Sequence, residues 1–90
     1  MKVKVRGRYW NLLFTDQGLA KGQQGECQAP HLKGKTIKVR PDMSPLEELD
    51  TTIHELLHAG LWDLDEEVVE ELASDLARIL RKLGYRRVDI

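Results

Sequence analysis

Hydrophobic and polar residues alternate strictly in two stretches, Lys2-Val3-Lys4-Val5-Arg6 and Lys35-Thr36-Ile37-Lys38-Val39-Arg40. A period of two marks a strand with one wet face and one buried face, so both stretches predict strands. Pro41 stops the second. Between them, Arg8-Tyr9-Trp10-Asn11-Leu12-Leu13-Phe14-Thr15 is aromatic and aliphatic and predicts another strand, with Gly7 ending the first or marking a bulge. Glu26-Cys27-Gln28-Ala29 predicts a short strand closed by Pro30. Asp16 to Gly25, with Gly18, Gly22 and Gly25, has no period and reads as a loop, and His31-Leu32-Lys33-Gly34 reads as a turn.

Past Pro41 the period lengthens to that of a helix. Ser44-Pro45-Leu46-Glu47 is a strong start: serine caps, proline suits the first helical position, and Glu47 stands three residues after the cap. Leu46, Leu49, Ile53, Leu56 and Leu57 then recur at helical spacing up to Gly60, the expected C-cap. Leu61-Trp62-Asp63-Leu64 forms the link. Asp65 is the expected N-cap of a second helix whose apolar face is Val69, Leu72, Ala73, Leu76, Leu80 and Leu83, stopped by Gly84. A short link makes the two helices antiparallel. The expected fold is α+β, a small, mostly antiparallel sheet packed against two or three helices, with residues 1–90 forming a single domain.

Composition narrows the class. The chain is 41% hydrophobic and 32% charged, a globular and not a disordered profile. Its first ten residues lack the apolar core of a signal peptide, and no apolar run reaches membrane-spanning length. The single cysteine, Cys27, excludes an internal disulfide, reads as a packed small hydrophobe and fits a cytoplasmic location. Charge is unevenly placed: residues 1–41 carry nine Lys or Arg against Asp16 and Glu26, whereas residues 42–75 carry twelve acids and no Lys or Arg. The pattern reads first as two solvated faces that attract each other weakly. It also makes nucleic acid a candidate partner for the basic strands.

The chemistry-bearing stretch is His54-Glu55-Leu56-Leu57-His58. Residues four apart share a helix face, so His54 and His58 can aim two imidazole nitrogens at one metal ion. Glu55 is turned about 100° away, where it can hold a water and take its proton. This is the HExxH arrangement of zinc hydrolases. A third protein ligand is expected, and the returning helix offers Glu66, Glu67, Glu70, Glu71 and Asp75. Counting helical rise from Gly60 and Asp65 puts Glu70 level with the histidines, with Glu71 at the same height on another flank and Glu66 too close to the link.

His54-Glu55-Leu56-Leu57-His58 followed by a glutamate on the next helix resembles the gluzincin arrangement of thermolysin-like peptidases. The stretches Leu49 to Ala59 and Asp65 to Ala73 more closely resemble small phage and bacterial HExxH proteins related to the ImmA/IrrE and SprT-like groups. The resemblance covers about the last half of the chain. It implies a minimal zincin-like core, zinc held by His54 and His58, Glu55 as general base, and a glutamate of the second helix as third ligand. Glu70, before Leu72-Ala73, approximates the ImmA/IrrE pattern. A thermolysin-style register instead selects Glu71, with Asp75 orienting a histidine.

The expected activity is zinc-dependent hydrolysis of a protein or peptide substrate, with Glu55 passing the proton from water to the leaving amine. A substrate strand would add to the edge of Thr36–Arg40, and His31 or Tyr85 would help stabilise the oxyanion. The competing expectation is a non-catalytic zinc- or nucleic-acid-binding module.

Overall fold

The computed structural model describes residues 1–88. In chain order it comprises β1 (Lys2–Val5), β2 (Arg8–Phe14), β3 (Gly25–Cys27), β4 (Thr36–Val39), α1 (Pro45–Gly60) and α2 (Glu66–Lys82). β1 and β2 form a hairpin whose two turn residues, Arg6 (φ 46°) and Gly7 (φ 81°), are both left-handed. That turn has the twist of the strands it joins. Gly7 is therefore half of a tight turn and not a bulge.

The four strands lie in the order β1-β2-β4-β3. β1 with β2 and β3 with β4 are antiparallel, while β2 and β4 run parallel with Leu12 opposite Ile37 and Phe14 opposite Val39. The β3–β4 hairpin is thus laid against β2 by its second strand. β4 becomes interior and β3 becomes an edge. Period-two alternation then does the sorting: Trp10, Leu12, Ile37 and Val39 point to one face and are buried together with Ala59. Val3, Val5, Phe14, Cys27, Met43 and Leu56 surround them. α1 lies on that face and α2 packs on α1, giving an α+β fold.

α1 starts where its sequence says it should, with the Ser44 hydroxyl accepting the Glu47 N–H at 3.2 Å. It packs on β1, β3 and β4 and also on α2, whereas α2, among the described elements, packs only on α1. Gly60 does not act as a left-handed cap. It is the last residue of α1, the cap is Leu61, and a Cβ on Gly60 would stand 3.1 Å from the Val5 side chain. Glycine here lets the helix end close on β1. The other stop does use the left-handed region: Gly84 has φ 91°, its N–H reaches the Arg81 carbonyl at 3.0 Å, and the Tyr85 N–H reaches Leu80 at 2.9 Å. Those two bonds are a Schellman closure. Asp65 is the N-cap of α2, yet its side chain makes no capping bond. Among the described residues no helix is long and apolar enough to cross a membrane.

Candidate metal centre

α1 is held between the sheet and α2, so its side chains divide between two neighbours. His54 and His58 look toward α2 and are half-buried, their side chains 20% and 17% exposed. Their Nε2 atoms are 3.1 Å apart. Facing both is Glu66, with one carboxylate oxygen 2.8 Å from His54 Nε2 and the other 2.9 Å from His58 Nε2. Among the described residues these three form the group of potential ligands that converges, one ligand atom from each lying within 4.8 Å of the others. In a tetrahedral zinc site with bonds of 2.0–2.1 Å, ligand atoms stand about 3.3 Å apart, close to the 3.1 Å between the two Nε2 atoms, while Glu66 meets each histidine through a different oxygen. Two imidazoles and one carboxylate are also a donor set of catalytic zinc. The Glu66 side chain is 58% exposed, which leaves the cluster open on that side. The residues present fit the ion.

The expectation that Glu70 or Glu71 completes the cluster is revised by this geometry. Ser74 Oγ donates to Asp50 Oδ2 at 2.9 Å, and Glu66 meets His54 and His58, which sets the level of α2 along α1. Glu70 falls about one turn short of the histidines and lines a cleft beside Asp50 and Ser74, and Glu71 is outside the cluster. The difference in level comes from the link. Leu61 closes on Leu57, Leu64 turns back on Leu61, and the connection descends beside the last turn of α1 instead of standing beyond its end. A signal for Glu66 was present in the sequence. Val69, Ala73 and Ala77 are fully buried and form the stripe facing α1. Glu66 stands seven residues before Ala73, only about 20° off that line.

Glu55 reaches β3 and lines one cleft with His54. It is 7% exposed, and among the described residues no hydrogen bond reaches its carboxylate. Burial pushes its pKa up to about 7, the negative charges of Glu66 and Glu26 push the same way, and His54 pulls against them. Gly25 makes room for it: a Cβ there would lie 2.7 Å from Thr51 Cγ2, 2.8 Å from Glu55 Oε2 and 3.0 Å from the Lys38 carbonyl oxygen. β3 therefore runs against the glutamate with no side chain between them. Beside it opens a cleft of about 470 Å³ walled by Gln24 and Gly25 on one side and Glu70 and Ser74 on the other, with Thr51, His54 and Glu55 on its floor.

Three further expectations change. β4 is paired on both sides, so the strand edge nearest the cluster is β3. Tyr85 lies past the far end of α2, which spans 17 residues from Glu66, or about 25 Å at 1.5 Å per residue. His31 lines a second cleft with Arg6, Arg8 and Trp62, away from the three converging ligands. No protein family, curated protein or solved structure matches the chain, so the reading of this site stands on its residues and their geometry.

Proposed function

We propose that the chain is a zinc-dependent peptidase. The observation that carries this is the convergence of His54, His58 and Glu66, at 2.8–3.1 Å, next to a buried Glu55 in the same cleft as His54. When bound there, zinc supplies Lewis acidity that polarises a carbonyl and a water. His54 and His58 from α1 and Glu66 from α2 would hold it. Glu55 takes the proton of the attacking water and releases it to the leaving amine nitrogen, a role suited to a carboxyl poised near neutrality. A cation at the cluster would draw the Glu55 pKa down again by its charge, leaving the carboxylate ready to accept.

The substrate strand is positioned by β3. The Gln28 N–H reaches the Thr36 carbonyl at 3.1 Å, and the Arg40 N–H reaches Gln24 at 2.7 Å. In an antiparallel ladder the residues facing the partner alternate, so the backbone groups of Gly25 and Cys27 face outward along the edge, where the Gln23 side-chain amide donates to the Gly25 carbonyl at 3.1 Å. A peptide adding there would take the place of that amide and pass over Glu55. The free thiol of Cys27 agrees with a reducing, cytoplasmic setting.

A second reading keeps the metal and gives up the chemistry: a zinc module whose sheet binds a polyanion. Its specific support is the uncovered face of the hairpin, where the Lys2 and Lys4 ammonium groups stand 5.6 and 5.5 Å from the Tyr9 ring centre. Zinc analysis with a cleavage assay on wild type and Glu55→Gln separates the two. The peptidase requires about one zinc per chain in both proteins and hydrolysis only in the wild type. Equal hydrolysis by Glu55→Gln removes the general base. Steeply salt-dependent DNA binding without hydrolysis favours the module.

A further inference from the structure

The candidate metal centre lies between two clefts of opposite charge. The smaller, beside His54 and Glu55, is flanked by Asp50 and Glu70 and includes no Lys or Arg. The larger, about 710 Å³, sits beyond the C-terminal end of α1 and is lined by Arg6, Arg8, His31 and Lys35 against a single acid, Asp63. Trp62 joins that cleft to the centre, its ring 6.2 Å from that of His58. One chain segment walls both: Gly22, Gln24 and Gly25 border the acidic cleft, and Pro30 and His31 border the basic one. β3 lies between, with its outer edge unpaired among the described strands. The floor of the acidic cleft also holds Glu55, nine-tenths buried and, among the described residues, without a hydrogen-bond partner.

We propose that this groove selects peptides carrying an acidic residue on the N-terminal side of the cleaved bond and a basic residue on the C-terminal side, the two about six residues apart or less. The span follows from the wall, since Gln24 to Pro30 is six steps of about 3.3 Å, or about 20 Å. The direction follows from strand pairing. β3 runs from the acidic cleft toward the basic one, and an added strand pairs more favourably antiparallel. The peptide then enters at Arg8 and His31 and leaves past Glu70 and Asp50. Asp50 keeps its acceptor character because its partner, Ser74, donates to it at 2.9 Å. Arg8 and Glu70 are both exposed, so a ligand can reach their charges. This selectivity depends on the peptidase reading for its scissile bond, though not for its binding.

The test uses the zinc-loaded full chain and three labelled octapeptides of matched length: acidic-then-basic, basic-then-acidic, and neutral. Binding is read by fluorescence anisotropy on Glu55→Gln, and cleavage is read separately on the wild type. Two solvent-accessible charge pairs imply that the acidic-then-basic peptide binds about tenfold tighter than the neutral one at low salt, and that the margin collapses in 1 M salt. Adding Arg8→Glu and Glu70→Lys, two exposed positions, should abolish the preference between the two charged peptides, since Arg6, Lys35 and Asp50 remain. Equal affinities before those two changes, a preference for basic-then-acidic, or a preference that survives them overturns the proposal. The peptidase reading fails separately. Charge-selective binding with no cleavage by the wild type removes the hydrolysis and leaves the groove, whereas cleavage without charge preference does the opposite.

Discussion

The two helices bring their side chains to the candidate centre under different constraints. α1 is gripped on two sides, by three strands and by α2, and its histidines are half-buried. Among the described elements α2 packs on α1 alone, and its Glu66 sits in the first turn, mostly exposed, after a cap whose side chain makes no capping bond. A gripped element fixes direction, because the rotamers of its side chains are limited by what surrounds them. A lightly held first turn can yield. Glu66 meets the two histidines through separate oxygens, so offering one oxygen to a shared ion calls for that adjustment. The centre thus pairs a rigid half with an adaptable half.

The sharpest break of this comparison is at the ligands. His54→Ala should weaken zinc by orders of magnitude, beyond the ~10–100-fold typical of losing an outer partner, because nothing nearby can replace a fixed imidazole. Glu66→Gln should also weaken it, by ~100-fold or more, though less than His54→Ala, since water reaches the exposed side. Glu70→Gln should leave affinity within about threefold, as expected of a carboxylate outside the ligand set. Competition titrations with a chromogenic chelator measure all three. If Glu70→Gln matched Glu66→Gln, the level of α2 described above would be wrong.

Next in size is the sheet side of α1. Gly25→Ala places a methyl against Thr51, Glu55 and the Lys38 carbonyl, and should cost about 1–3 kcal/mol in urea unfolding, as overpacking does. An unchanged midpoint would mean that α1 is not pressed against β3.

The dryness of that same wall can be read from Cys27. Burial pushes its thiol from about 9 up to about 12, with Glu55 and then Glu26 pushing the same way. The folded form therefore keeps its proton where the unfolded chain loses it. The associated stability is fully present below about pH 9 and is lost as pH rises toward 12. Native protein should alkylate slowly with iodoacetamide at pH 9 and much faster in denaturant; equal rates would show that water reaches the wall.

The smallest contrast lies at the helix starts. Ser44→Ala should cost about 1 kcal/mol by removing a capping bond, whereas Asp65→Ala loses only charge at the helix end, about 0.3–0.5 kcal/mol. Equal losses would show that Asp65 caps in solution, and that α2 is held at its start as firmly as α1.

How much of this was legible in the sequence varies with the distance over which each feature is decided. Alternation at Lys2–Arg6 and Lys35–Arg40, the Ser44 cap and the stop at Gly84 are local choices of backbone and side chain, and all appear as expected. So does the pairing of His54 with His58, since four residues of helix bring them to one face. The role of Gly60 was not legible, because its reason is Val5, 55 residues earlier, and not its own φ. Nor was the edge: period two cannot say whether a strand is central, and β4 became interior only when its hairpin docked on β2.

The third member of the centre divides the two kinds of information most clearly. Sequence alone determined that a carboxylate of the second helix would face the histidines, because a short link and two amphipathic stripes leave the helices no other pairing. It even put Glu66 on the buried line of Val69, Ala73 and Ala77. Which carboxylate stands level with the histidines was decided by how Leu61 to Asp65 turns. One turn of helix is 5.4 Å, and a link that folds down beside α1 shifts the whole of α2 by about that much. Only the packed pair of helices, tied at Asp50 and Ser74, carries that height.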